Sequence, residues 1–281
     1  MMNEQLERER IEHNEIYDRQ QSWILAEAVT WERYYQHMSR PPHEGGTLYG
    51  LDHQIFLDYL QRTVKASADL RVLDYGCGTG ALGLALAERG LRVSGFDLSD
   101  RGIEIAQRAA VQSGLAERCH FVVANAQDLP FADNSFDFVV AKAVLHHTIK
   151  YPGTERELYR ILKPGGKAIF FEGAASNPLI SLARRFTIEE ELGDVPLTIE
   201  GIQTFAESFS NVNIRGYFFC YMLKRLGYYA SDESLPDRGR NRLGKTALFR
   251  TLLRLALAID RALVNEKRTA WAGRYLIELT K

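Results

Sequence analysis

Val72-Leu73-Asp74-Tyr75-Gly76-Cys77-Gly78-Thr79-Gly80 reads as a buried strand that runs into a glycine turn and opens a helix. Glycine permits the tight turn and lets the backbone approach a ligand closely. The first N–H groups of the following helix have no partner within it, so an anionic group such as a carboxylate fits against them. The same stretch contains Gly78-Thr79-Gly80-Ala81-Leu82-Gly83, a literal G-x-G-x-x-G, which makes a dinucleotide site the competing reading.

Asp74 separates the two readings. An acid at the carboxyl end of the strand repels a pyrophosphate and suits an ammonium group. The amino acid end of S-adenosylmethionine supplies an ammonium and no phosphate, and the loop lacks the G-K-[ST] ending of a phosphate-cradling loop. Asp97, in Gly95-Phe96-Asp97-Leu98-Ser99, ends the next apolar run 23 residues on. That is close to the ~20-residue separation at which an acid grips ribose hydroxyls in nucleotide-binding α/β folds. The alternative for Asp97 is a helix cap near Arg101, a task Ser99 or Asp100 serves equally well. A third feature, Ala124-Asn125-Ala126-Gln127-Asp128-Leu129-Pro130-Phe131, puts a polar side chain and a free backbone N–H after the third strand, where an adenine edge can be read.

Outward from this segment the pattern is regular. Short apolar runs at 71–75, 92–96, 119–123, 136–141 and 167–172 alternate with helical stretches at 80–89, 101–113 and 154–163, and 124–135 is loop. Strands alternating with helices predict a parallel, doubly wound α/β sheet covered on both faces. Beyond it, 198–209 reads as helix, 212–219 as strand, 246–264 as helix and 275–280 as a final strand. Before it, the first forty residues read as one helix stopped at Pro41-Pro42, with Ile16, Ile24, Ala28, Trp31, Tyr35 and Met38 on its apolar face. A second amphipathic stretch covers 52–64.

The segment from about Leu70 to Glu172 resembles the class I methyltransferases of the type 11 kind, a group that includes quinone C-methyltransferases. The resemblance rests on VLDYGCGTG at 72–80, GFDLS at 95–99, NAQDLPF at 125–131, FDFVVAKAVLHHT at 136–148 and LYRILKPGGKAIFFE at 158–172, in that order. It implies a Rossmann-like sheet of seven strands with the last antiparallel, S-adenosyl-L-methionine as cofactor, and N-terminal helices as a lid. By position, Asp74, Gly76, Cys77, Gly78 and Gly80 would hold the methionine end, Asp97 and Leu98 the ribose and adenine, and Asn125 and Ala126 the adenine. Lys142 would lie near the methionine portion, its cation turned away or paired with a carboxylate.

Methyl transfer from a sulfonium is an in-line displacement, and a base is needed only when the acceptor must lose a proton. His146, His147 and Glu172 follow the fourth and fifth strands and are the candidate catalytic groups, with packing as the competing role for the histidines. Tyr17, Tyr34 and Tyr49 are the candidate acceptor-side residues. Tyr34 and Tyr49 belong to an aromatic set, with Trp31 and Tyr35, that either faces the sulfonium or packs the lid on the sheet.

Composition bounds the rest. The 281 residues are 46% hydrophobic and 25% charged with a formal net charge of −1, which gives no global footprint for nucleic acid. Three scattered cysteines form neither a disulfide framework nor a metal motif, so no metal is expected. The charged N-terminal stretch and the lack of a long apolar run predict a cytoplasmic protein. From Arg238 onward eleven Lys/Arg face three Asp/Glu, and the leucine-rich 246–264 carries Arg250, Arg254 and Arg261. Such a helix suits peripheral membrane contact, or a lid or dimer helix with snorkelling arginines.

The expected organisation is an N-terminal helical lid over 1–65, a cofactor-binding core over 66–219, a helical insertion over 220–270 for the acceptor or an interface, and a final core strand over 271–281. The expected activity is methyl transfer to a small-molecule or lipid-linked acceptor. The alternative is a protein of the same fold that binds the cofactor or its demethylated product without methyl transfer. Oligomeric state is not legible in the sequence.

Overall fold

The computed structural model describes residues 2–39, 50–174, 197–217 and 272–281, together with positions 247, 248, 251, 252 and 255. Seven strands form one sheet: β1 Arg71–Tyr75, β2 Arg92–Asp97, β3 Cys119–Val123, β4 Phe136–Lys142, β5 Leu162–Gly173, β6 Asn211–Tyr217 and β7 Arg274–Thr280. Their order is β3-β2-β1-β4-β5-β7-β6. β1 to β5 are parallel, and β7 runs antiparallel to both β5 and β6. The doubly wound sheet with a reversed last strand is therefore as expected.

Successive residues of a strand point to opposite faces, and here both faces are covered. Val72, Val140 and Ile169 pack on one side with Leu84, Leu86 and Ile105, while Leu73, Val139 and Phe170 pack on the other with Leu158, Ile161 and Ile277. This is why the strands read as nearly unbroken apolar runs. The covering helices are α4 Ala81–Glu88, α5 Asp100–Gln112, α6 Leu145–Thr148, α7 Thr154–Ile161 and α8 Ile199–Phe205. The chain moves from β1 outward to β2 and β3, then returns to β4 on the other side of β1. That switch leaves a crevice at the carboxyl ends of the strands, where ligands bind in open α/β sheets.

The N-terminal region corrects one expectation. It is two helices, α1 Met2–Ile24 and α2 Trp31–Ser39, followed by α3 Gly50–Thr63. The break has a local cause. Thr30 Oγ1 accepts from Arg33 N at 3.1 Å and so starts a new helix. The Arg33 guanidinium donates to the carbonyls of Trp23, Glu27 and Ala28 at the end of the old one. Of the expected apolar face, Ile24 and Trp31 are buried but Ile16 and Ala28 are exposed, while Glu9 is buried and His13 and Tyr17 half-buried. α1 lies across α5 through polar contacts. Arg10 and Asn14 reach Asp100 at 2.6 and 3.0 Å, and Arg101 reaches Asp18 at 2.6 Å.

Most of the expected insertion at 220–270 lies outside the described residues. Within it Leu248, Leu252 and Leu255 are helical and exposed. Among the described residues no helix is long and apolar enough to cross a membrane.

Candidate functional site

The glycine turn after β1 has the backbone its sequence demands. Gly76, Gly78 and Gly80 hold φ of 66, 53 and 75°, the left-handed region that disfavours a side chain. At Gly76 space is also short, because a Cβ there would lie 2.5 Å from Val144 Cγ1. Cys77 N–H donates to Phe96 O and Gly80 N–H to Cys77 O, each at 2.8 Å, which closes the turn over β2.

Asp74 is buried beneath this turn. Its Oδ2 accepts from Gly83 N–H at 2.8 Å, so the carboxyl satisfies a first-turn donor of α4. Burial raises its pKa to about 7, against the lowering effects of the Gly83 bond and the Lys142 charge. The residue expected to greet an ammonium group thus sits behind the loop. Cys77 is also off the cleft, and burial pushes its thiol well above the ordinary range.

A cavity of ≈ 100 Å³ opens at the carboxyl ends of β1 to β4. Its sheet side is made by Gly76, Asp97, Leu98, Asn125 and Ala126, five of the residues expected at a cofactor. Asp97 Oδ2 accepts from Gly78 N–H at 2.8 Å and from the Tyr17 hydroxyl at 3.4 Å, and its Oδ1 accepts from Ser99 N–H at 2.9 Å. Burial raises its pKa, and the two backbone donors oppose that rise. The cap of α5 is Ser99, whose Oγ accepts from Gly102 N–H at 2.8 Å, so Asp97 is not spent on that task. Asn125 Oδ1 accepts from Gln127 N–H at 3.1 Å, a side-chain-closed turn that fixes the loop after β3.

α1 closes the other side of the cavity with Leu6, Glu9, His13 and Tyr17, spaced three, four and four residues apart on one helical face. Glu9 is held there by Lys150 Nζ at 2.8 Å and the Tyr151 hydroxyl at 2.9 Å. The His13 ring stacks on Tyr17 at 5.8 Å and meets His147 edge-on at 5.5 Å. Tyr17, expected on the acceptor side, lies instead over the glycine turn and beside Asp97. Burial, then the Asp97 charge, raises the pKa of its hydroxyl.

The end of β4 is built around one buried carboxylate. Glu172 is fully buried; its Oε1 accepts from Val144 and Leu145 N–H at 2.7 Å each, and its Oε2 accepts from His146 Nδ1 at 2.7 Å. Ala143 adopts φ 57° there, an uncommon conformation for a residue with a side chain. Ala143 and Val144 both line the cavity. His147 lines it too, and burial, followed by the charges of His146 and His13, lowers its pKa to about 4. Glu172 itself is not among the described residues that line the cavity.

Lys142 donates to His53 Nε2 at 3.0 Å, while His53 Nδ1 donates to Met38 O at 2.9 Å. The amine thus meets an imidazole, and its charge also acts on the Asp74 carboxyl. Tyr34 is buried against Trp23 with centroids 6.4 Å apart, Arg89 covers Trp31 at 4.6 Å, and Tyr35 donates to Asp58 at 2.8 Å. These rings pack α2 onto the body, whereas Tyr49 lies outside the described residues. Sequence reasoning missed Leu6, Glu9 and His13. Their spacing with Tyr17 is a helical signal, but Glu9 and His13 are polar and break the apolar periodicity that Leu6 would otherwise join.

Comparison with known proteins places this site in context. Residues 73–170 match a family model described as a methyltransferase domain. The demethylmenaquinone methyltransferase of Clavibacter sepedonicus is 38% identical over 124 residues, covering 44% of this chain and 49% of that protein. The sterol 4-C-methyltransferase of Caenorhabditis elegans is 30% identical over 119 residues, covering 42% of this chain and 36% of that protein. The chain thus spans half or less of the length of these two relatives. The crystal structure of a protein described as a putative sarcosine dimethylglycine methyltransferase from Galdieria sulphuraria has the same fold, with TM-score 0.55 at 15% identity over 94% of this chain and 96% of that one.

Proposed function

We propose that this protein transfers a methyl group from S-adenosyl-L-methionine to a small-molecule or lipid-linked acceptor. The observation that carries the reading is the crevice at the β1–β4 switch, where Gly76, Asp97, Leu98, Asn125 and Ala126 line one cavity. This set fits a phosphate-free nucleoside. Asp97 has lone pairs left after its backbone bonds for ribose hydroxyls, Leu98 and Ala126 offer apolar contact to a base, and among the described residues no lysine or arginine stands in the lining to meet a pyrophosphate.

The cofactor supplies a methyl group already activated on a sulfonium. What the chain contributes is position and exclusion of water, worth ~7–11 kcal/mol in well-oriented reactions. Gly76 admits the ligand, Asp97 orients it, and α1 covers it through Glu9, His13 and Tyr17. Asp74 supports the turn from behind. Glu172 accepts from His146 Nδ1–H, which fixes the tautomer with the acceptor nitrogen at Nε2. We assign His146 to proton removal where the acceptor requires it, Glu172 to holding that ring, and His147 to the cofactor cavity.

The two methyltransferase relatives act, by their names, on demethylmenaquinone and on a sterol, which supports an apolar acceptor. Leu248, Leu252 and Leu255, at spacings of four and three, give an exposed apolar stripe in the segment expected to meet a membrane surface. The test is direct. Calorimetry with S-adenosylhomocysteine should give heat that Asp97→Ala loses, and incubation with quinol or sterol acceptors should yield that product with a methylated lipid. Absence of binding sinks the cofactor assignment; binding without turnover on any acceptor favours a cofactor-binding protein that transfers no methyl.

A further inference from the structure

Three arginines stand side by side at the amino end of the sheet, opposite the cofactor cavity. Arg71 opens β1 and Arg92 opens β2 in register with it. Arg118 precedes β3, whose Cys119 pairs with Val93, so Arg118 falls beside Arg92. Neighbouring strands lie about 4.8 Å apart and registered residues share a face. The row of guanidinium groups is therefore about 10 Å long, and all three side chains are exposed.

Among the described residues no ion pair balances the row. On the next strand, Asp137 is the register neighbour of Arg71, but both its oxygens accept from Lys163 Nζ at 2.8 Å and its Oδ2 also accepts from Arg71 N–H. The only side-chain bond of the three arginines among the described residues runs from Arg118 to the Gly90 carbonyl at 3.0 Å. Like charges in register destabilise a sheet. The three arginines rim a cleft of ≈ 340 Å³ whose lining includes Phe131 and Phe136, and among the described residues Glu117 is its one carboxylate.

We propose that this cleft is an anion site for a multiply charged phosphate compound, separate from the methyl-transfer site. Guanidinium forks take phosphoryl oxygens two at a time, and a chain of linked phosphates reaches along a row that a single phosphate does not.

Calorimetry on the whole protein with inorganic tripolyphosphate tests this. Saturable binding is expected, weakened by salt, stronger than for orthophosphate, and unchanged when S-adenosylhomocysteine is present. Arg92→Gln, which removes the middle charge, should lower the affinity by about tenfold or more, a difference of ~1.4 kcal/mol. Without anion it should keep or raise the melting temperature, because it relieves the repulsion. Arg108→Gln on α5 is the control and should bind as the parent does. No saturable heat, an equal loss in Arg108→Gln, or full affinity in Arg92→Gln would each overturn the proposal.

Discussion

Replacing Glu172 by alanine removes the shared acceptor of the Val144 and Leu145 N–H groups and the partner of His146 Nδ1. A buried donor left without a partner costs ~1–3 kcal/mol. Two such donors therefore cost ~2–6 kcal/mol, and loss of the desolvation penalty of a fully buried carboxylate returns part of it. The net expectation is ~2–4 kcal/mol, or a fall of about 5–15 °C in melting temperature for a domain of this size. Glu172→Gln keeps an oxygen for both N–H groups and should cost about 1 kcal/mol or less. Cofactor affinity should follow stability in the alanine variant, since Ala143 and Val144 line the cavity, and should survive in the glutamine variant, where only turnover on a proton-losing acceptor falls. Urea unfolding read alongside S-adenosylhomocysteine titration measures both. An alanine variant within about 1 kcal/mol of the parent, or a glutamine variant as damaged as alanine, would refute the reasoning.

Other substitutions probe the rest of the site. Gly76→Ala combines a positive φ with a Cβ 2.5 Å from Val144, so it should cost ~1–3 kcal/mol and weaken S-adenosylhomocysteine binding at least tenfold by calorimetry. Asp74 in the native protein holds its proton up to about 7 against an ordinary value of 3.8. The stability this gives is present at low pH and is lost as pH rises through 7. Asp74→Asn, which still accepts from Gly83, should flatten that decline, seen as a higher melting temperature well above pH 7 and little change near pH 4. His147 stays neutral in the fold down to about 4 but takes up a proton near 6.5 when unfolded, so stability falls as pH drops across that interval. His147→Gln should make the acid limb of the stability profile shallower.

The sheet was legible because β1 to β5 are buried on both faces and separated by helices of ordinary length. The register was not, and neither was the break between α1 and α2, which depends on Thr30 and on Arg33 folding back to the carbonyls of the preceding helix. Gly76, Asp97, Leu98, Asn125 and Ala126, which line one cavity, were read from their place after strands, a property of topology. Asp74, whose carboxyl bonds Gly83 N–H, was read differently, and Lys142, expected to turn away or pair with a carboxylate, meets His53. The acid was identified by chemistry suited to a ligand, while the fold uses it for a helix end. Glu9 and His13 were invisible for a different reason: a lid over a polar cavity is itself polar, and its periodicity carries no hydrophobic contrast.

β7 lies between β5 and β6, although it follows every other strand in the chain. During synthesis, β5 waits with a raw hydrogen-bonding edge, and β6 emerges with no neighbour to pair with until residues 274–280 leave the ribosome. For more than a hundred residues after β5 the nascent sheet ends in an open, apolar border of the kind that recruits strands from other molecules. Ribosome stalling or early termination anywhere in that interval should yield insoluble product, and a chaperone that shields the β5 edge should matter more to the yield of this protein than to one whose strands are made in spatial order.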